Sequence, residues 1–172
     1  CKRQSLGRRR RPRRGHGRRW RCLAVPAMPY GVVLVFVHGF RGRAEQTFGA
    51  YPARLRHLVR ETHPGMPVEA VIYPTYETRG SLGDAVDAFV AWLTTLVAER
   101  ESTQGHRFCV VLCGHSMGGM VCLDAARAIR AQGRGAWPRV GGVIAYDTPF
   151  LGIHPHVFKH QLTTYQQYVC LL

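Results

Sequence analysis

The chain has 172 residues, 46% of them hydrophobic and 20% charged, with six cysteines and a formal charge of +14. A length within the range of roughly 100–200 residues suits one domain with a sizeable core, and the hydrophobic share excludes wholesale disorder. No apolar run approaches the ~20 residues of a membrane-spanning helix, and six cysteines scattered over a chain this long are no disulfide scaffold.

The charge belongs to one end. Residues 1–21 hold eleven of the 24 Lys and Arg and no acid, whereas residues 22–172 hold 13 basic and 10 acidic residues. Residues 1–19 contain one aliphatic residue, Leu6, among dense like charge. Such a segment buries too little apolar area to offset its ordering entropy, so residues 1–27 are predicted to be a disordered basic tail. A nucleic-acid contact, a nuclear import signal or a transit peptide are its functional readings. The plainer reading is preferred: a vector-derived or mistranslated leader, with Met28 near the true start. Nucleic acid is therefore not the expected partner.

From residue 28 the pattern becomes that of a folded domain, 28–172. Tyr30–Val37 (YGVVLVFV) is a short β-branched run that reads as a buried strand, ending in His38-Gly39. Pro52–His63 has Leu55, Leu58 and Val59 at helical spacing, with Pro52 suited to the first turn. Val68–Tyr73 reads as a second strand closed by Pro74. Ser81–Glu101 is predicted as a helix whose stripe is Leu82, Val86, Phe89, Val90, Leu93 and Val97, and Ser81 with Asp84 has capping-box form. Arg107–Cys113 reads as a third strand, Met117–Ala131 as a helix rich in small residues, and Val140–Tyr146 as a fourth strand. Alternating helices and near-continuous apolar strands predict an α/β fold, a mostly parallel sheet with helices on both faces.

Between the third strand and the next helix stands Cys113-Gly114-His115-Ser116-Met117-Gly118-Gly119, which contains the G-x-S-x-G pattern. A sharp strand-to-helix turn strains the serine backbone and leaves no room for side chains two positions away, a constraint that Gly114 and Gly118 meet. The turn would present the Ser116 hydroxyl above the carboxyl edge of the sheet, where open α/β folds bind ligands. The Met117 amide, at a helix N-terminus, suits an oxyanion, and one such donor lowers a barrier by ~3–4 kcal/mol. His38-Gly39-Phe40-Arg41-Gly42 follows the first strand, and the Phe40 amide is the expected second donor.

FVHGF (36–40), VVLCGHSMGG (110–119) and AYDTPFLG (145–152), in this order, resemble lipase-like serine esterases of the α/β-hydrolase superfamily. The resemblance implies Ser116 as acyl nucleophile, oxyanion amides at Phe40 and Met117, no metal or organic cofactor, and a small-molecule or lipid ester as substrate. It also implies that the four strands are the family's third to sixth, lying side by side. The family's catalytic acid and histidine follow further strands, so the expectation is an incomplete domain, with these groups beyond Leu172. The alternative is a truncated or pseudo-hydrolase fragment that does no catalysis.

Other residues rank lower. His154, His156 and His160 follow the fourth strand too closely to be expected as the base, and no Cys or carboxylate beside them has metal spacing. Asp147 reads as a turn cap before Thr148-Pro149 rather than as the acid. His38 and His115 read as scaffold, and Cys109 and Cys113 as core thiols. An apolar mouth is expected at Phe40, Met117, Phe150 and Leu151. The buried thiols lean towards a reducing, cytoplasmic compartment, with peripheral membrane association the other reading.

Overall fold

The computed structural model describes residues 30–39, 44–74 and 81–152. The predicted basic tail, the Phe40–Gly42 segment and His154, His156 and His160 lie outside them. Within them the order is β1 (Tyr30–Val37), α1 (Ala44–Phe48), α2 (Tyr51–Thr62), β2 (Val68–Ile72), α3 (Leu82–Gln104), β3 (Arg107–His115), α4 (Met117–Arg130) and β4 (Val140–Tyr146).

The four strands form one sheet in the order β2-β1-β3-β4, and every pairing is parallel. β1 runs through the middle, with Val32 opposite both Val68 of β2 and Cys109 of β3. That position explains its unbroken apolar sequence, because both faces of a central parallel strand are covered.

Right-handed crossovers then dictate where the helices go. The chain leaves β1 for β2 on one side through α1 and α2, and returns across β1 to β3 through α3. Reversing direction puts α3 on the opposite face, and the further step through α4 to β4 stays there. The core accordingly has two halves. Val33, Val35, Val37, Phe108, Val110 and Leu112 pack against Phe89, Leu93, Val97, Val121 and Ile129 of α3 and α4. Leu34, Phe36 and Cys113 pack with Phe48 of α1 and with Leu55 and Val59 of α2.

Helix α3 begins and ends by capping. The Ser81 side chain accepts the Asp84 N–H at 3.0 Å, and Gly105 closes the helix in the left-handed conformation at φ 69°. Glu101 ties it to β3 by accepting the Phe108 N–H at 2.9 Å. Arg100 ties it to β2 through Glu69 at 2.9 Å. The buried stripe differs from prediction at three places: Leu96 joins it, Val90 is half-buried, and Leu82, in the first turn, is 37% exposed.

Candidate active site

The sheet changes winding direction between β1 and β3. Their carboxyl ends form the crevice where open α/β sheets bind ligands, and the two glycine-bearing segments meet there. Ser116 is the N-cap of α4 and follows β3 directly, at φ 54° and ψ −126°. A non-glycine residue in that region is strained and has to be held by its surroundings. The holding contacts are backbone: the Ser116 N–H donates to the Tyr146 carbonyl at 2.8 Å, and its carbonyl accepts the Gly119 N–H at 3.0 Å.

Two close approaches account for the surrounding glycines. A Cβ on Gly114 would stand 2.5 Å from the Gly119 nitrogen and from the Gly118 carbonyl oxygen, so only glycine lets the strand turn into the helix here. The reason at Gly118 differs from the predicted one. Its missing side chain faces the Val37 and His38 carbonyls, which lets the first turn of α4 lie against the end of β1. On the β1 side, a Cβ on Gly39 would lie 2.8 Å from Ser116 Cβ and 3.2 Å from Ser116 Oγ. The segment after β1 therefore touches the serine itself.

Ser116 and Met117 are both half-buried, within reach of solvent. Met117 opens α4, and the first N–H groups of a helix have no partner within it. His38 is fully buried, and its Nδ1–H donates to the Gly39 carbonyl at 2.9 Å, which orients the loop. Asp147, at the end of β4, is exposed and takes φ 48°. Among the described residues its carboxylate accepts no hydrogen bond, so the predicted turn cap is not formed. Also among the described residues, no histidine hydrogen-bonds the Ser116 hydroxyl.

Beside this turn, on the α1–α2 face, lies a cleft of about 250 Å3 lined by Thr47, Phe48, Tyr51, His115 and Tyr146. The Tyr51 and Tyr146 hydroxyls are hydrogen-bonded to each other at 3.0 Å, and their rings meet edge to face at 5.8 Å. Burial, followed by the Tyr51 hydrogen bond, raises the Tyr146 phenol above its ordinary value. Burial likewise pushes the neighbouring Cys113 thiol up to about 11, although its contact with Tyr146 works the other way. The Tyr146 phenol and the Cys113 thiol therefore keep their protons at ordinary pH.

Of the residues expected at an apolar mouth, Met117 is half-buried, Phe150 is 54% exposed and Leu151 fully so, and Phe40 lies outside the described residues. Tyr51 and Tyr146 supply apolar wall to the cleft. Tyr146 carried a legible signal, since it ends the fourth strand at the edge that bears the serine. Tyr51 carried none, because its place is set by ring contacts with Phe36 and Tyr146, which join residues far apart in the sequence.

A family model described as "Alpha/beta hydrolase family" matches residues 34–165, most of the chain. The chain belongs to that family. It is also 26% identical over 118 residues to "Virulence factor MDV010" of Gallid herpesvirus 2, a match that covers 69% of this chain and 15% of that protein. The chain thus spans a small part of the length of the curated relative it matches. Among the described residues no helix is long and apolar enough to cross a membrane, and no three metal-binding side chains cluster.

Proposed function

We propose that the protein is a serine hydrolase that cleaves carboxylic esters with an apolar acyl group, through an acyl-enzyme on Ser116. The carrying observation is the strained backbone of Ser116, φ 54° at a strand-to-helix turn with Gly39 packed on its side chain. Strain of this kind costs about 1–3 kcal/mol and is retained where a precise side-chain placement repays it.

In the proposed reaction Ser116 Oγ attacks the ester carbonyl and its proton passes to a base. The Met117 and Phe40 amides hold the oxyanion. The intermediate then collapses, the acyl–oxygen bond breaks, and the leaving alkoxide takes up a proton. Water repeats the sequence on the acyl-enzyme and releases the acid. The resemblance implies a histidine backed by a carboxylate as the base, and among the described residues no histidine hydrogen-bonds the Ser116 hydroxyl. No step calls for a metal or an organic cofactor.

One observation favours a second reading. With no histidine on the Ser116 hydroxyl among the described residues, the same cleft would bind an apolar ligand without turnover. Hydrolysis of p-nitrophenyl hexanoate separates the two. The hydrolase reading predicts that Ser116→Ala lowers kcat/KM by about a thousandfold or more, the usual scale for loss of a nucleophile. Equal rates for the wild-type protein and Ser116→Ala would overturn it in favour of binding.

A further inference from the structure

We infer that the cleft between α1, α2 and the end of β4 is the acyl subsite of this serine, and that it takes a short, uncharged acyl chain of up to about eight carbons. The inference rests on the serine-hydrolase reading and narrows its substrate class.

Three features carry it. The first is connection. His115 directly precedes Ser116, and the Tyr146 carbonyl accepts the Ser116 N–H at 2.8 Å. Two of the five lining residues are thus tied to the backbone of the serine, and a chain lying in the cleft stays beside the acylated oxygen. His115 shares the face of β3 with Cys113, since side chains alternate along a strand. The cleft is consequently on the opposite face of the sheet from α4, and α4 does not obstruct it.

The second is chemistry. Phe48, Tyr51 and Tyr146 present ring surfaces, and the hydroxyls that would interrupt those surfaces are hydrogen-bonded to each other at 3.0 Å. Phe36 backs the wall, with its ring 5.2 Å from Phe48 and 6.0 Å from Tyr51. No Lys, Arg, Asp or Glu is among the lining residues. A charged group entering the cleft would lose water and meet no Lys, Arg, Asp or Glu, whereas an alkyl chain gives up no such hydration.

The third is size. At roughly 30 Å3 per methylene-sized group, the share that a water molecule takes in the liquid, about 250 Å3 holds about eight groups. That is below the ~300–1,000 Å3 of sites for larger ligands. The Tyr51–Tyr146 hydrogen bond joins α2 to β4 in the cleft wall, and chains longer than the volume holds must leave their ends in solvent.

The test is the rate at which alkyl fluorophosphonates with ethyl, hexyl and dodecyl chains modify the intact protein. The Ser116 Oγ–P bond forms, the P–F bond breaks, and fluoride leaves. Hexyl should react roughly tenfold or more faster than ethyl, because each methylene buried adds a several-fold factor, and dodecyl should gain nothing further. Thr47→Phe, which fills the cleft, should remove the preference for hexyl over ethyl. Tyr51→Ala, at an exposed position, should move the optimum towards dodecyl. Rates independent of chain length in the wild-type protein, or a preference that survives Thr47→Phe in a folded variant, would overturn the subsite. So would a rate that responds to the alcohol-mimicking group of the probe and not to its alkyl chain.

Hexanamide, which cannot acylate, separates this failure from failure of the nucleophile. If no phosphonate reacts but hexanamide shifts the Tyr51 and Tyr146 ring signals in NMR, and Thr47→Phe abolishes the shifts, the subsite stands without the hydrolase. Absence of those shifts in Ser116→Ala protein would overturn the subsite whatever the phosphonates do.

Discussion

At the scale of single residues, the strain at Ser116 and the tight contact at Gly39 are two sides of one arrangement. Serine at φ 54° is tolerated because the backbone bonds to Tyr146 and Gly119 hold it. Ser116→Gly should relieve the strain and stabilise the fold by about 1 kcal/mol, raising Tm by roughly 2–4 °C for a domain of this size. An unchanged or lowered Tm would show that the serine is not strained. Gly39→Ala should do the reverse. The new Cβ, 2.8 Å from Ser116 Cβ, must push the segment after β1 away from the serine. Ester hydrolysis should then fall at least tenfold while far-UV circular dichroism stays unchanged. Activity equal to wild type would detach that segment from the chemistry. The G-x-S-x-G spacing made Ser116, Gly114 and Gly118 legible as a turn, but not why Gly118 is needed, since that depends on how β1 and α4 pack.

At the scale of elements, β1, β2, β3 and β4 and the three long helices follow from apolar runs and helical spacing. Their ends shift by a few residues: α2 begins at Tyr51 and β3 continues to His115. The five-residue α1 was not legible. It is too short to show a period, and what places it is Phe48 packing on Phe36. Burial of Cys113 on β3 has a consequence for pH. Its folded-state pKa of about 11 exceeds its ordinary 9.0, so above pH 9 the unfolded chain gives up the proton first and unfolding gains. Stability measured by urea denaturation should therefore fall as pH rises from 9 to about 11. The raised phenol of Tyr146 adds to the fall in the same direction. Cys113→Ala should flatten this slope, and an unaltered slope would assign it elsewhere.

At the scale of the whole molecule, the order β2-β1-β3-β4 puts the winding reversal between the two segments that touch at Ser116. Among the described residues the helices lie on the two faces of the sheet. Alternating strands and helices made the parallel sheet legible, and the resemblance implied the neighbouring strand positions. The cleft was not legible, because it combines residues 47–51 with 115 and 146 and depends on β3 and β4 pairing in register. On the proposed reading this architecture presents one hydroxyl, that of Ser116. The most direct measurement is mass-spectrometric mapping of the adduct left by an alkyl fluorophosphonate on the intact protein. The chain contains four serines, Ser5, Ser81, Ser102 and Ser116. A single adduct on Ser116 is expected, and an adduct on any of the other three, or none at all, would contradict the proposed role of Ser116.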